Sequence, residues 1–222
     1  MAQSRFNFLA PSIVQGWTRG VRFFARFFIQ AEINPNWFTV LGLVISFIAS
    51  ILLARGEFLL GGLVIAIAGS CDMIDGMVAR ELGRVSKFGA LFDSVIDRYS
   101  EVIVFFGLCY YYVEQDMMIT SVVVAAALAG SLMVSYVRAR AEGLGLDCKV
   151  GMMQRPERLA YLSAGSTFTG VFSADWIVIV VIWIIAIFAN MTAIQRLLHI
   201  WKSTEGKHDV PEGTGPGSGH PE

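Results

Sequence analysis

The sequence predicts an all-α integral membrane bundle of six transmembrane helices preceded by an amphipathic interfacial helix. Three observations predict it. Of 222 residues, 55% are hydrophobic and 16% charged, with a mean hydropathy of +0.60, too little polar surface to cover a soluble globule. Apolar stretches of about 20 residues, the length that crosses ~30 Å of hydrocarbon, recur along the chain. Basic residues gather on alternate connections, the asymmetry that orients a protein in a bilayer.

The first unit, residues 1–33, holds the interfacial helix. From Phe6 to Gln30, aromatics and aliphatics alternate with Arg19, Arg22 and Arg26. Each arginine would cost ~2.5–3.5 kcal/mol at mid-membrane, so this segment reads as a helix lying in the interface rather than a seventh span. Asn34-Pro35-Asn36 breaks it. Residues 34–202 then carry six spans: Trp37 to Ala54, Phe58 to Ala79, Phe88 to Val113, Met117 to Ala141, Leu159 to Val171 and Trp176 to Ile200. The fifth is short and rich in Gly, Ser and Thr, a composition that suits tight helix packing. The tail, residues 203–222, is rich in Gly and Pro and reads as disordered.

Arg80, Arg84 and Lys87 follow the second span, Arg138 to Arg158 surround the connection after the fourth, and Arg196, Lys202 and Lys207 close the chain. The opposite loops carry only Arg55. Both termini are therefore expected on the cytoplasmic side of a cell membrane. A net charge of −1 argues against nucleic acid as a partner. Cys71, Cys109 and Cys148 fit no zinc or disulfide spacing and read as reduced. No cleavable signal peptide is evident.

Carboxylates inside membrane segments need a reason. Asp72, Asp75, Gly76, Ala79 and Arg80 fall at i, i+3, i+4, i+7 and i+8, one face of a helix. Gly89, Asp93 and Asp97 make a stripe on the next helix. The short connection makes these helices antiparallel neighbours, with both acidic stripes near the cytoplasmic surface. Four converging carboxylates need a compensating cation, and oxygen-only ligands favour magnesium or manganese. The small residues could admit a ligand to the backbone or serve helix contacts alone. Ion pairing with Arg80 and Arg98 would leave the four acids under-neutralised. A transport site fits less well, because the acids cluster at one surface rather than at mid-depth between broken helices.

The run Asp72-x-x-Asp75-Gly76-x-x-Ala79-Arg80, eight residues, then Gly89-x-x-x-Asp93-x-x-x-Asp97 resembles the CDP-alcohol phosphotransferase signature at every fixed position. Pro35-Asn36-x-x-Thr39 resembles a looser element of the same family. The resemblance implies that Asp72, Asp75 and Asp93 bind metal, two Mg²⁺ or Mn²⁺ ions, while Asp97 is the general base and also touches metal. It implies that Gly76, Ala79, Arg80 and Gly89, with Asp72 and Asp75, cradle the donor, a CDP-diacylglycerol-like lipid that loses CMP. It further implies a homodimer in a prokaryotic membrane.

A second cluster bears on the acceptor. Ser135-Tyr136-Val137-Arg138-Ala139-Arg140-Ala141-Glu142 ends the fourth span, and Gln154-Arg155-Pro156-Glu157-Arg158 leads into the fifth. Arginine forks suit a dianionic phosphate, although snorkelling surface charge is the blander reading. The cluster resembles the acceptor segments of the phosphatidylinositol-phosphate synthase branch, which implies that Ser135, Arg138, Arg158 and Arg196 hold inositol phosphate. Arg138 stands where that branch usually has lysine, and Gln154 where it often has glutamate. Glycerol 3-phosphate or another alcohol is the rival acceptor. An aspartate-rich prenyltransferase is the rival enzyme, and a transporter with an acidic cation site the rival of another class.

Overall fold

Each apolar stretch folds as a helix in the computed structural model, which describes residues 11–205. In chain order these are α1 (Pro11–Gln30), α2 (Asn36–Ala54), α3 (Phe58–Glu81), α4 (Lys87–Glu114), α5 (Met118–Gly143), α6 (Arg155–Phe172) and α7 (Trp176–Thr204). No strand occurs among the described residues. The expected disordered tail lies outside them from residue 206 onward, as do the first ten residues.

Four helices, α2, α3, α5 and α7, are long and apolar enough to cross a membrane, so the chain is an integral membrane protein. The other two expected spans are helical but more polar. Asp93, Asp97, Arg98 and Glu101 interrupt α4, and Arg155, Glu157 and Arg158 open α6 ahead of its Gly, Ser and Thr residues. α6 begins four residues before the expected Leu159, because Pro156 is tolerated in a helix's first turn.

α2 packs against both α3 and α4, α6 against α3 and α7, and α5 against α4 and α7. Leu53, Phe58, Ile65, Phe105, Leu108, Tyr112, Leu162 and Ile182 fill the centre. Glycine lets the backbones approach: a Cβ at Gly107 would lie 2.3 Å from the Ser50 carbonyl oxygen, and one at Gly62 2.5 Å from the Thr167 nitrogen. α1 is docked, with Val21 and Ala25 buried against Phe38, Ile74 and Val78 while Phe23 and Phe27 face outward.

α3 and α4 bring their acidic stripes together as expected, although their backbones do not pack closely along their lengths. Their connection is short and turns at Gly83, whose φ of +63° suits glycine. It is tied back by Arg84, which donates to the Glu32 carbonyl at 2.9 Å. Beyond the turn, α2 packs against both helices, while α6 packs against α3 and reaches α4 through Arg155 and Arg158. The gap is a narrow cleft bordered by α2, α3, α4 and α6.

Candidate active site

The cleft is lined by Thr39, Gly42 and Ser46 of α2, Gly69 and Asp72 of α3, Asp97 and Ser100 of α4, and Arg155 and Leu159 of α6. Helical periodicity brings the acids to it. Asp72 and Asp75 sit one turn apart on α3, and Asp93 and Asp97 one turn apart on α4. One carboxylate oxygen each from Asp72, Asp75 and Asp93 converges within 4.8 Å. Opposed oxygens on a single divalent ion stand about 4–5 Å apart, given bonds of ~2.0–2.6 Å.

Each carboxylate has a different environment. Asp75 is buried and accepts a 2.8 Å hydrogen bond from the Thr39 hydroxyl, which gives the Pro35-Asn36-x-x-Thr39 element a role. Asp93 Oδ1 is buried without a hydrogen-bond partner, and so fits a cation ligand. Asp97 lies outside the converging trio. Its Oδ1 meets Arg155 Nη2 at 2.9 Å, and its Oδ2 lies 3.7 Å from Arg98. Arg155 Nη1 also reaches Asp72 Oδ2 at 2.7 Å, so one guanidinium spans both acidic stripes.

The expected donor cradle divides in two. A Cβ at Gly76 would meet nothing nearer than the Arg80 guanidinium, 3.7 Å away, so no helix contact requires glycine there. The face carrying Gly76, Ala79 and Arg80 is open beside the acids. Gly89 has a local reason. Its N–H donates at 2.9 Å to Ser86 Oγ, the N-cap of α4, and an added Cβ would crowd that hydroxyl at 3.0 Å.

The expected acceptor residues are used unequally. Ser135 is half-buried, and Arg138 is exposed and paired with Glu142 at 2.8 Å. Arg196 is buried and donates to the Val150 and Val134 carbonyls at 2.8 and 2.6 Å, pinning the α5–α6 connection to α7. Gly151 allows this: its φ is +126°, and a Cβ would strike Thr192 at 2.4 Å. Burial pushes the Cys148 thiol up, and the Arg196 and Arg138 guanidiniums pull it back, so both cations bear on one buried atom.

Arg158, the fourth expected acceptor residue, is engaged within the protein. It is buried, with Nε and Nη2 on the two oxygens of Glu101 at 2.7 and 3.0 Å. Nη1 and Nη2 also reach the Met153 and Ser131 carbonyls at 3.3 and 3.5 Å. An arginine so placed on α6 finds Glu101 because Glu101 continues the Asp93–Asp97 stripe by one more turn of α4.

Sequence reasoning missed Arg155 and Glu101 as parts of the site. Glu101 was findable, as a charged residue at i+4 from Asp97 inside an apolar stretch. Arg155 carried no comparable sign, since it stands among surface-type cations.

The CDP-alcohol phosphatidyltransferase family matches residues 32–201. The chain belongs to that family. It is accordingly a transferase, and the matched region spans the Asp72–Asp97 constellation and both arginine segments. A phosphatidylinositol phosphate synthase of Mycobacteroides abscessus is 34% identical over 82% of this chain and 83% of its own length. An archaetidylinositol phosphate synthase of Methanothermobacter thermautotrophicus is 35% identical over 78% and 86%. Among solved structures, the Mycobacterium tuberculosis phosphatidylinositol phosphate synthase with CDP-DAG bound aligns with a TM-score of 0.73, 30% identity, and coverage of 82% of this chain and 94% of that one. The same enzyme in complex with manganese and citrate aligns with a TM-score of 0.72. The phosphatidyltransferase signature therefore stands, in this chain, on the two helices that border the cleft.

Proposed function

We propose that this chain transfers the phosphatidyl-type group of a CDP-diacylglycerol-like lipid to inositol phosphate and releases CMP. The observation that carries the reading is the arrangement of the acids: Asp72, Asp75 and Asp93 converge within 4.8 Å, while Asp97, joined to Asp72 through Arg155, completes the constellation beside them. Relatives named as inositol phosphate synthases, one acting in the phosphatidyl and one in the archaetidyl series, support the acceptor more strongly than the lipid tails.

The enzyme uses a divalent metal, and Asp72, Asp75 and Asp93 would hold it, as Mg²⁺ or Mn²⁺ and as two ions at turnover. The metal supplies neutralisation of the pyrophosphate and stabilisation of the leaving group. Asp97, facing the same cleft, accepts the proton of the acceptor hydroxyl as that oxygen bonds to the lipid-side phosphorus. The bond from this phosphorus to the bridging oxygen breaks, and CMP leaves. Gly76, Ala79 and Arg80, beside Asp72 and Asp75, take the cytidine diphosphate against the open face of α3. Gly89 serves by letting the Ser86 cap start α4 cleanly beside it. Ser135, Arg138 and Arg196 hold the acceptor's phosphate, and Arg158, neutralised by Glu101, supports them from behind.

In this reading α4 and α6 complete a six-span catalytic domain of residues 34–202, with both termini and the cleft cytoplasmic. α1 lies in the interface, and two copies form a homodimer as the family resemblance implies. The deciding experiment offers purified protein CDP-diacylglycerol or its archaeal ether counterpart. Each is paired with inositol phosphate, free inositol or glycerol 3-phosphate, with and without excess chelator, and CMP release is measured. Inositol phosphate should give the highest kcat/KM, and chelator should abolish turnover. A preference for free inositol or glycerol 3-phosphate would remove the acceptor assignment, and full activity without metal would remove the metal site.

A further inference from the structure

Asp72 belongs to two sets. It is one of three carboxylates that converge within 4.8 Å, and its Oδ2 also accepts from Arg155 at 2.7 Å. Arg155 simultaneously holds Asp97 at 2.9 Å and keeps a buried Nε without a partner. The guanidinium is not a loose surface cation. One turn further along α6, Arg158 grips Glu101 bidentately, and Glu101 lies one turn beyond Asp97 on α4. The two clamps, Arg155–Asp97 and Arg158–Glu101, fix how far α6 slides against α4.

We propose that Arg155 is the resident counter-cation of the acidic centre, which a divalent ion must displace from Asp72 in order to bind. This rests on the metal-dependent reading above. The displaced Nη group, still anchored through Asp97, then faces the cleft where the donor's diphosphate arrives, so the anion replaces Asp72 as its partner. Arg155 thereby weakens metal binding at rest and couples it to arrival of the anionic donor.

The test measures Mn²⁺ alone, by calorimetry and electron paramagnetic resonance, on the purified full chain without lipid substrate. Arg155→Gln should tighten Mn²⁺ binding about tenfold, the scale on which one adjacent charge shifts a carboxylate's affinity for a cation. Arg98→Gln, which changes the local field without touching Asp72, should tighten it much less. Arg155→Lys keeps the charge but not the fork, and should tighten binding by a smaller factor. It decides the matter if Arg155→Gln is not recovered folded. Unchanged or weaker Mn²⁺ binding in the Arg155 variants would overturn the proposal, because a residue that merely oriented Asp72 would lose affinity on removal. Equal tightening by Arg98→Gln would also overturn it. Absence of saturable Mn²⁺ binding in every variant and in wild type would instead sink the metal-dependent reading on which it rests.

Discussion

Replacing Glu101 by glutamine tests what holds α6 in place. Glu101 and Arg158 are each 1% exposed, and their two hydrogen bonds of 2.7 and 3.0 Å are the deepest ionic contact among the described residues. Removing one partner of a buried pair typically costs about 3–5 kcal/mol, because the other charge is left uncompensated. Glutamine keeps one acceptor oxygen, so the lower end, about 3 kcal/mol, applies to Glu101→Gln. At about 2–4 °C per kcal/mol for a chain of this size, the Tm should fall by about 6–12 °C. The buried, free thiols of Cys71 and Cys148 suit a thiol-reactive dye in detergent micelles, which reports unfolding as they become accessible. Adding Arg158→Gln removes the stranded charge and should recover more than half of the loss. A Tm shift smaller than about 2 °C for the single variant, or a double variant no more stable than the single, would refute the view that this pair anchors α6 to α4.

Two further outcomes follow from the geometry. Gly76→Ala should leave Tm within about 1 °C, since its Cβ meets only the Arg80 guanidinium at an ordinary 3.7 Å, yet raise the KM for CDP-lipid several-fold. Gly107→Ala should do the reverse, because its Cβ would meet the Ser50 carbonyl oxygen at 2.3 Å and overpacking costs about 1–3 kcal/mol; thermal unfolding and donor titration together separate the two. Asp93→Asn and Asp97→Asn should each abolish CMP release in folded protein. Asp97→Asn should retain the tighter Mn²⁺ binding of the two, and robust turnover by it would remove Asp97 as the proton acceptor.

What the sequence made legible was local. Asp72 to Arg80 and Gly89 to Asp97 lie within single helices, so the 3.6-residue period alone puts each set on one face. The helix breaks at Asn34-Pro35 and near Gly83 follow equally from local backbone preferences. The pairings between helices did not show. Arg155 meets Asp72 across 83 positions and Arg158 meets Glu101 across 57, and no periodicity relates residues so far apart. The short α3–α4 connection argued for adjacency, and nothing in composition announced that α2 would pack against both. Nor could the sequence divide the glycines: Gly62 and Gly107 serve packing, Gly89 a cap, and Gly76 none of these.

α2 packs against both α3 and α4, and so flanks the acidic centre without contributing a carboxylate to it. On the face of α2 toward the cleft stand Gly42 and Ser46, and a Cβ at Gly42 would sit 3.6 Å from Cys71 Cβ and 3.7 Å from the Ala68 carbonyl. A methyl group at Gly42 would thus make ordinary contact with α3. A helix that supplies no acid thus shares in the acidic centre from two sides, through the Thr39 hydroxyl on Asp75 and through the small residues that line the cleft beside Asp72 and Asp97.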